Sequence, residues 1–478
     1  MRTALAFFLT LIVYALLILG TALLMPLRLS EITQAAAFLH FGWHSFFDWI
    51  ARTPAGAPLH YLAELPFALA APDAKPLLRV PTVIAALSSV FLFFALAKRV
   101  PLEHPVLALI LFLAVPTHLM YATQARPYEL GLFLLLLASL AFFSLVEQPA
   151  LFTAVIYSVL LVACLFTQPS SYLPAVGYAI ALLGFANVKK YRAALWYALA
   201  ATVIPIAAYA PYHLLWAVSR RRADWLTEQF PAFAIKIPGV QALMGLDPGT
   251  NPWFGIVLIS LLLMGIAGGI ASVMPLGTFS LGAQPPPESL VRRRAVVFCL
   301  IGGALVTLLS QIAVSGYTGS AFSPYQILWA VPALIIVFCA ALDALVRLPV
   351  LKSVWLLNPA IVLIAIFLCI PGDLEYLRTQ PPDMAKLTAL VRPQLGGDTC
   401  VVFVSQRLSR YIFEVYDPDL AKYECQNFFH KRIVLAIHPF VRPEQEHDAR
   451  IFFRGLDFAE THRDVLGDGK VITMDSMR

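Results

Sequence analysis

Of 478 residues, 60% are hydrophobic and 13% charged, against about 25% charged in soluble domains. That balance excludes a soluble globular chain and gives a membrane protein. The net charge of +6 is scattered over loop ends, so it reads as membrane topology and surface charge, with no basic stripe for nucleic acid.

Met1 and Arg2 precede an apolar run from Ala4 to Met25. It exceeds the roughly 7–15 residue core of a secretory signal and lacks a convincing cleavage site, so it reads as a retained first span. A crossing helix takes about 20 apolar residues, and helices are the open-ended way to satisfy every backbone group in lipid. On that criterion the chain is a polytopic α-helical protein of about 11 transmembrane helices. They fall near 4–25, 77–97, 105–121, 129–146, 151–168, 171–187, 193–215, 253–275, 295–314, 325–345 and 353–371. Lys98, Arg99, Lys189, Lys190, Arg192, Arg292 to Arg294, Arg347 and Lys352 then share one face with Arg2. Basic residues of short loops stay cytoplasmic, which puts the amino terminus inside and, after an odd number of spans, the tail outside.

The outer loop 26–76 holds a compact set of reactive groups: Arg28, Ser30, Glu31, His40, His44, Asp48, Arg52, His60 and Glu64. Ile32, Ala35, Ala36 and Leu39 have helical spacing, with Ser30 as N-cap and Glu31 in the first turn. There Glu31 either complements the helix dipole or acts as a general base at the membrane boundary. A second amphipathic segment follows Pro58, and both are too short to span, so they lie in the bilayer interface. His60 and Glu64, four apart, are two metal-type ligands without a third; the plainer reading is a packed histidine with a surface glutamate.

Further along, Arg126 in Gln124-Ala-Arg-Pro-Tyr128 and the run Arg220, Arg221, Arg222 are basic groups on the outer face. The run either snorkels beside anionic headgroups or binds phosphate; Arg126 either binds phosphate or pairs with Glu129. Cys164, Cys299, Cys339 and Cys369 lie in apolar runs and read as small hydrophobes. Beyond Pro371 charged residues become frequent, and the runs 399–405 and 432–438 read as strands of a small α/β domain over 372–478. Cys400 and Cys425 there either pair in an oxidising space or remain buried thiols.

The order of these features resembles the GT-C glycosyltransferases, membrane enzymes that take sugar from a polyprenyl-phosphate donor and include protein O-mannosyltransferases and the lipid A aminoarabinose transferase. Pro58-Leu-His-Tyr-Leu62 is similar to the family's Pro-Leu-Tyr-Tyr-Leu type of segment, and Leu78-Arg-Val-Pro81 stands at the entry to the second span. Gln124-Ala-Arg-Pro-Tyr128 looks like Glu-Ala-Arg-Pro-Tyr, Ser323-Pro-Tyr-Gln-Ile-Leu-Trp-Ala-Val-Pro332 resembles a Pro-Arg-Tyr-Leu-Leu stretch, and Gly396-Gly-Asp-Thr-Cys-Val-Val402 is similar to a Pro-Gly-Asp-Val-Val strand entry. The chain departs from the pattern too. Ser30 precedes Glu31 where the family has an acidic pair, Gly56 stands at a supporting acidic position, and Pro324-Tyr325 lacks the arginine.

The resemblance implies a GT-C-like fold in a bacterial inner membrane. It implies sugar transfer at the extracytoplasmic, periplasmic side from a polyprenyl-phosphate donor to a glycan, lipid or protein acceptor, beside membrane lipid and with no nucleic acid. It implies Glu31 as base, with Asp48 as the second candidate. Arg126, Tyr128, Arg220, Arg221, Arg222 and Tyr325 hold the donor phosphate, and Arg28, Ser30 and His60 line the loop. No metal is required, though a divalent ion at Glu31 and the phosphate is compatible with it. The rivals are a lipid or sugar transporter or flippase, which the nearly charge-free span interiors and missing internal repeat oppose, and a non-catalytic relative that binds lipid-linked sugar.

Overall fold

The structure is a computed structural model that describes residues 2–28, 31, 32, 35, 58–70, 75–100, 102–185, 189–220, 288–318, 328–346, 357–378, 383–404, 410, 412–425, 430–439, 441 and 443–477. The chain divides into two compact units. One comprises Met1–Thr21, Ile50–Ala63 and Pro81–Arg378, the other Ala22–Trp49, Glu64–Val80 and Thr379–Arg478.

The first unit is helical. In chain order its elements are α1 (Arg2–Leu24), α2 (Pro58–Ala70), α3 (Val80–Arg99), α4 (Pro105–Ala114), α5 (Pro116–Ala122), α6 (Pro127–Glu147), α7 (Leu151–Thr167), α8 (Leu173–Leu183), α9 (Lys189–Arg220), α10 (Glu288–Thr318), α11 (Val331–Val346) and α12 (Leu357–Arg378); α1 and α2 each begin in this unit and end in the other. Among the described residues, Thr3–Leu24, Leu77–Arg99, Pro127–Glu147, Tyr191–Pro211 and Pro359–Arg378 are long and apolar enough to cross a membrane. Shorter apolar helices accompany them at Leu151–Thr167, Arg294–Ser310 and Val331–Asp343. This is a multi-pass helical membrane protein. The expected segment 253–275 lies outside the described residues.

One expected span is not continuous. The chain bends by 66° between α4 and α5, because Pro116 has no N–H to carry the helix on and Val115 before it is extended, at φ −70° and ψ 119°. Elsewhere the apolar helices pack by ordinary means. Phe93 stacks on Phe112 with ring centroids 4.3 Å apart. A Cβ at Gly177 of α8 would sit 2.3 Å from the Gly302 carbonyl oxygen of α10, so these two backbones approach as only glycine permits. The four cysteines of the helical segments are all buried.

The second unit carries the tail. A short helix, α13 (Met384–Val391), is capped by Asp383, whose carboxylate accepts from the Lys386 N–H at 3.1 Å. It leads into β1 (Thr399–Phe403), β2 (Arg432–Ile437), α14 (Pro443–Gly455), β3 (Phe458–Leu466) and β4 (Gly469–Ser476). The sheet order is β1-β2-β4-β3. The two strands expected from sequence, β1 and β2, are parallel with Thr399 opposite Arg432, and β4 runs antiparallel to both β2 and β3. Ile433, Leu435, Ile437, Phe453, Phe458, Ile472 and Met474 form the core beneath. Cys400 on β1 is bonded to Cys425, Cα to Cα 4.9 Å, so of the two readings of these cysteines the paired one is present.

Candidate functional site

Where the chain leaves α1, Arg79 and Glu31 form a buried pair, 2% and 0% exposed. All five guanidinium N–H groups have acceptors. Nε donates to Glu31 Oε1 at 2.8 Å and Nη2 to Oε2 at 2.8 Å. Nη1 donates to the Ala22 and Met25 carbonyls at 2.8 and 2.9 Å, and Nη2 also to Pro26 O at 2.9 Å. A helix ends with four unpaired carbonyls, and here one arginine from 50 residues downstream closes the end of α1. Glu31 also accepts from the Arg28 N–H at 2.8 Å, while Arg28 O accepts from the N–H groups of Glu31 and Ile32. The helical turn is therefore capped at Arg28 with Glu31 as its third residue, in capping-box fashion. The cap expected at Ser30 lies outside the described residues.

The tail contributes to the same surroundings. Tyr416, which follows a turn closed by its N–H on Phe413 O at 3.0 Å, has Glu31, Asp383 and Arg79 as charged neighbours. Burial and the two carboxylates push its phenol above the ordinary tyrosine value.

In the helical unit Arg126 stands at the N-cap of α6 in extended conformation, followed by Pro127 in the first helical position. Its Nη2 donates to the Tyr128 hydroxyl at 3.2 Å, and its guanidinium lies 5.4 Å from that ring's centre. Tyr61 and Tyr121 are further neighbours, and Tyr121 meets Tyr128 edge-on at 4.6 Å. No acidic group pairs with Arg126 among the described residues, so the ion pair with Glu129 suggested by sequence is not formed. Glu129 faces the other way.

Glu129 lies 3.5 Å from His118 Nε2, and His118 Nδ1 is hydrogen-bonded to the Tyr14 hydroxyl at 2.9 Å. All three side chains are buried. Glu129 stands in the first turn of its span, and hydropathy averaged over a window does not register one carboxylate and one imidazole that meet between α5 and α6. Asp373 of α12 is a further charged neighbour of Tyr14. Arg79, His118 and Glu129 were not singled out as site residues from sequence, although Arg79 stood inside a segment that carried the resemblance.

Of the remaining expected residues, Arg28 is partly exposed and His60 is fully buried beside the Tyr61 ring at 5.6 Å. Glu64 is buried as well, so it is no surface glutamate. Arg220 ends α9. Ser30, Asp48, Arg221, Arg222 and Tyr325 lie outside the described residues. Among the described residues no three His, Cys, Asp or Glu side chains gather as a metal site, and the Glu31 carboxylate is neutralised by Arg79.

No protein-family model matches the chain, and no curated protein matches it by sequence. Solved structures do. ArnT from Cupriavidus metallidurans bound to undecaprenyl phosphate matches with a TM-score of 0.52 at 13% identity, over 98% of this chain and 98% of that chain. The same protein in the apo state gives 0.51 at 12% identity, again over 98% of each. This chain thus shares its fold with ArnT over nearly its whole length, as the resemblance read from sequence leads one to expect.

Proposed function

We propose that this protein is a glycosyltransferase that moves a sugar from a polyprenyl-phosphate donor to an acceptor hydroxyl at the extracytoplasmic face of a bacterial inner membrane. The observation that carries this reading is the fold shared along nearly the whole chain with an ArnT structure bound to undecaprenyl phosphate. The Cys400–Cys425 bond supports a tail on the oxidising side, with about 11 spans before it.

In the transfer, the bond between the anomeric carbon and the phosphate oxygen breaks as the acceptor oxygen attacks, and the acceptor proton passes to a base. The departing phosphate needs fixed positive charge. Arg126 supplies it with a guanidinium that no carboxylate among the described residues neutralises, next to the Tyr128 hydroxyl. Arg220, Arg221, Arg222 and Tyr325 are the additional phosphate ligands in this reading.

The base needs an accessible lone pair. Both Glu31 oxygens accept from Arg79, and one also accepts from the Arg28 N–H, so protonating Glu31 breaks the fork. We therefore assign Glu31 and Arg79 to fixing the start of the loop, and the base role to Asp48, the second candidate for it.

The purified chain in nanodiscs, given undecaprenyl-phosphate-linked sugars and membrane-extract acceptors, tests this by release of undecaprenyl phosphate. Asp48→Asn is expected to lower turnover by about 10²–10⁴-fold, the usual share of general-base catalysis. Undiminished turnover in that variant removes Asp48 as base, and no release from any donor by the unaltered protein removes the transferase reading.

A further inference from the structure

A carboxylate buried in the apolar interior is expensive, and a tie between helices is made at lower cost by apolar side chains. Glu129 is nonetheless 0% exposed, and among the described residues neither of its oxygens has a hydrogen-bond partner. The ionisable side chain it meets among the described residues is His118 at 3.5 Å. Its place in the chain is specific: it is the third residue of α6, while Arg126 is the N-cap of the same helix. Residues three apart in a first helical turn are neighbours, so whatever fixes Glu129 also fixes the direction in which the Arg126 guanidinium leaves the backbone.

The short helix α5 does that fixing from two sides. Its His118 reaches Glu129, and its Tyr121 packs edge-on against Tyr128 at 4.6 Å, so one seven-residue helix contacts both residues of the α6 first turn that flank the guanidinium. The 66° bend at Val115–Pro116 turns α5 away from the line of α4. His118 is fixed in its turn, with Nδ1 held by Tyr14 of α1 at 2.9 Å and its ring against Phe112 at 4.3 Å. At the far end of α5 the Thr123 hydroxyl bonds Tyr376 of α12 at 2.7 Å. The chain of contacts thus runs from α1 and α12 through α5 to the one turn that carries Arg126.

We propose that Glu129, held through His118 by Tyr14, is the positioning carboxylate of the Arg126 anion site. It anchors the first turn of α6 from behind, and with it the place at which the Arg126 guanidinium, resting on Tyr128, offers its remaining N–H groups to a phosphate. A carboxylate serves this better than an apolar anchor, because attraction to a polarised imidazole N–H is directional. The inference rests on the reading that Arg126 takes the donor phosphate, and the experiment separates the two.

The full chain in nanodiscs is titrated with undecaprenyl phosphate, and the thermal midpoint is recorded for the same samples. Glu129→Leu is expected to weaken binding about tenfold, the effect of misaligning one charge-assisted hydrogen bond, with an unchanged or raised thermal midpoint. Glu129→Gln, which keeps a polar oxygen of the same reach facing His118, is expected to recover most of the loss. A merely structural role lowers the midpoint and the affinity together. Wild-type affinity in Glu129→Leu overturns the inference. If that variant does not fold, Tyr14→Phe, which deletes one hydroxyl, is read instead: a loss of about threefold supports the relay, and wild-type affinity overturns it. Arg126→Gln with undiminished binding sinks the reading of Arg126 itself, and is the one outcome that does so.

Discussion

Arg79 and Arg126 are the two arginines around which the candidate chemistry is built, and the fold treats them in opposite ways. Arg79 is buried with every donor satisfied, two of them by Glu31 and three by the carbonyls at the end of α1. Arg126 has one hydroxyl, three aromatic neighbours and no carboxylate among the described residues. A guanidinium whose five donors are spent has nothing left for a ligand. One that is ringed by phenols keeps most of its charge and donors available, and phosphate is the ligand that fits such a fork. The contrast separates an architectural ion pair from a binding group, which the residue type alone does not do.

The contrast breaks most sharply at Arg79. Arg79→Met removes the charged partner and two N–H donors of the buried Glu31 carboxylate and opens the end of α1, so stability is expected to fall by roughly 3–5 kcal/mol, read by thermal unfolding in nanodiscs. Replacing both partners, Glu31→Met with Arg79→Met, is expected to recover a large part of that, and no recovery means that the carbonyl caps carry the cost. Arg126→Met gives the complementary result. Its stability is expected to change by less than that of Arg79→Met, because Arg126 has no carboxylate partner among the described residues, while undecaprenyl phosphate binding drops.

The smallest effect concerns Tyr416. Its phenol is raised above the ordinary value by burial first and by Glu31 next. For a raised group, stability is fully present below the unfolded value, near 10 for tyrosine, and is lost as pH rises through the folded value. Unfolding followed from pH 9 upward is expected to show this alkaline loss, and Tyr416→Phe to remove Tyr416's part of it. An identical alkaline limb in that variant separates Tyr416 from the Glu31 surroundings.

Much of the architecture was legible beforehand for a simple reason. Apolar runs of about 20 residues have few alternatives to spanning helices, and β1 and β2 were visible as apolar runs between charged segments. The β3–β4 hairpin was not singled out, although Gly467, at φ 58°, supplies the left-handed residue of its two-residue turn. The break at Pro116 was also written in the sequence, but a hydropathy window averages across it.

The site divides along the same line. Sequence alone determined that this chain crosses a membrane many times, that it ends in a small α/β domain, and that Arg126 and Glu31 stand at the ends of spans. Those conclusions depend on composition, spacing and local order, which a linear chain displays. Which partner each charge takes was decided only in three dimensions. Arg79 meets Glu31 across 48 positions and Tyr14 meets His118 across 104. Glu129 turns from its neighbour Arg126 to an imidazole on another helix. Charges in a low-dielectric interior are worth what their nearest partners make them, and nearness across helices is a property of packing, not of sequence spacing.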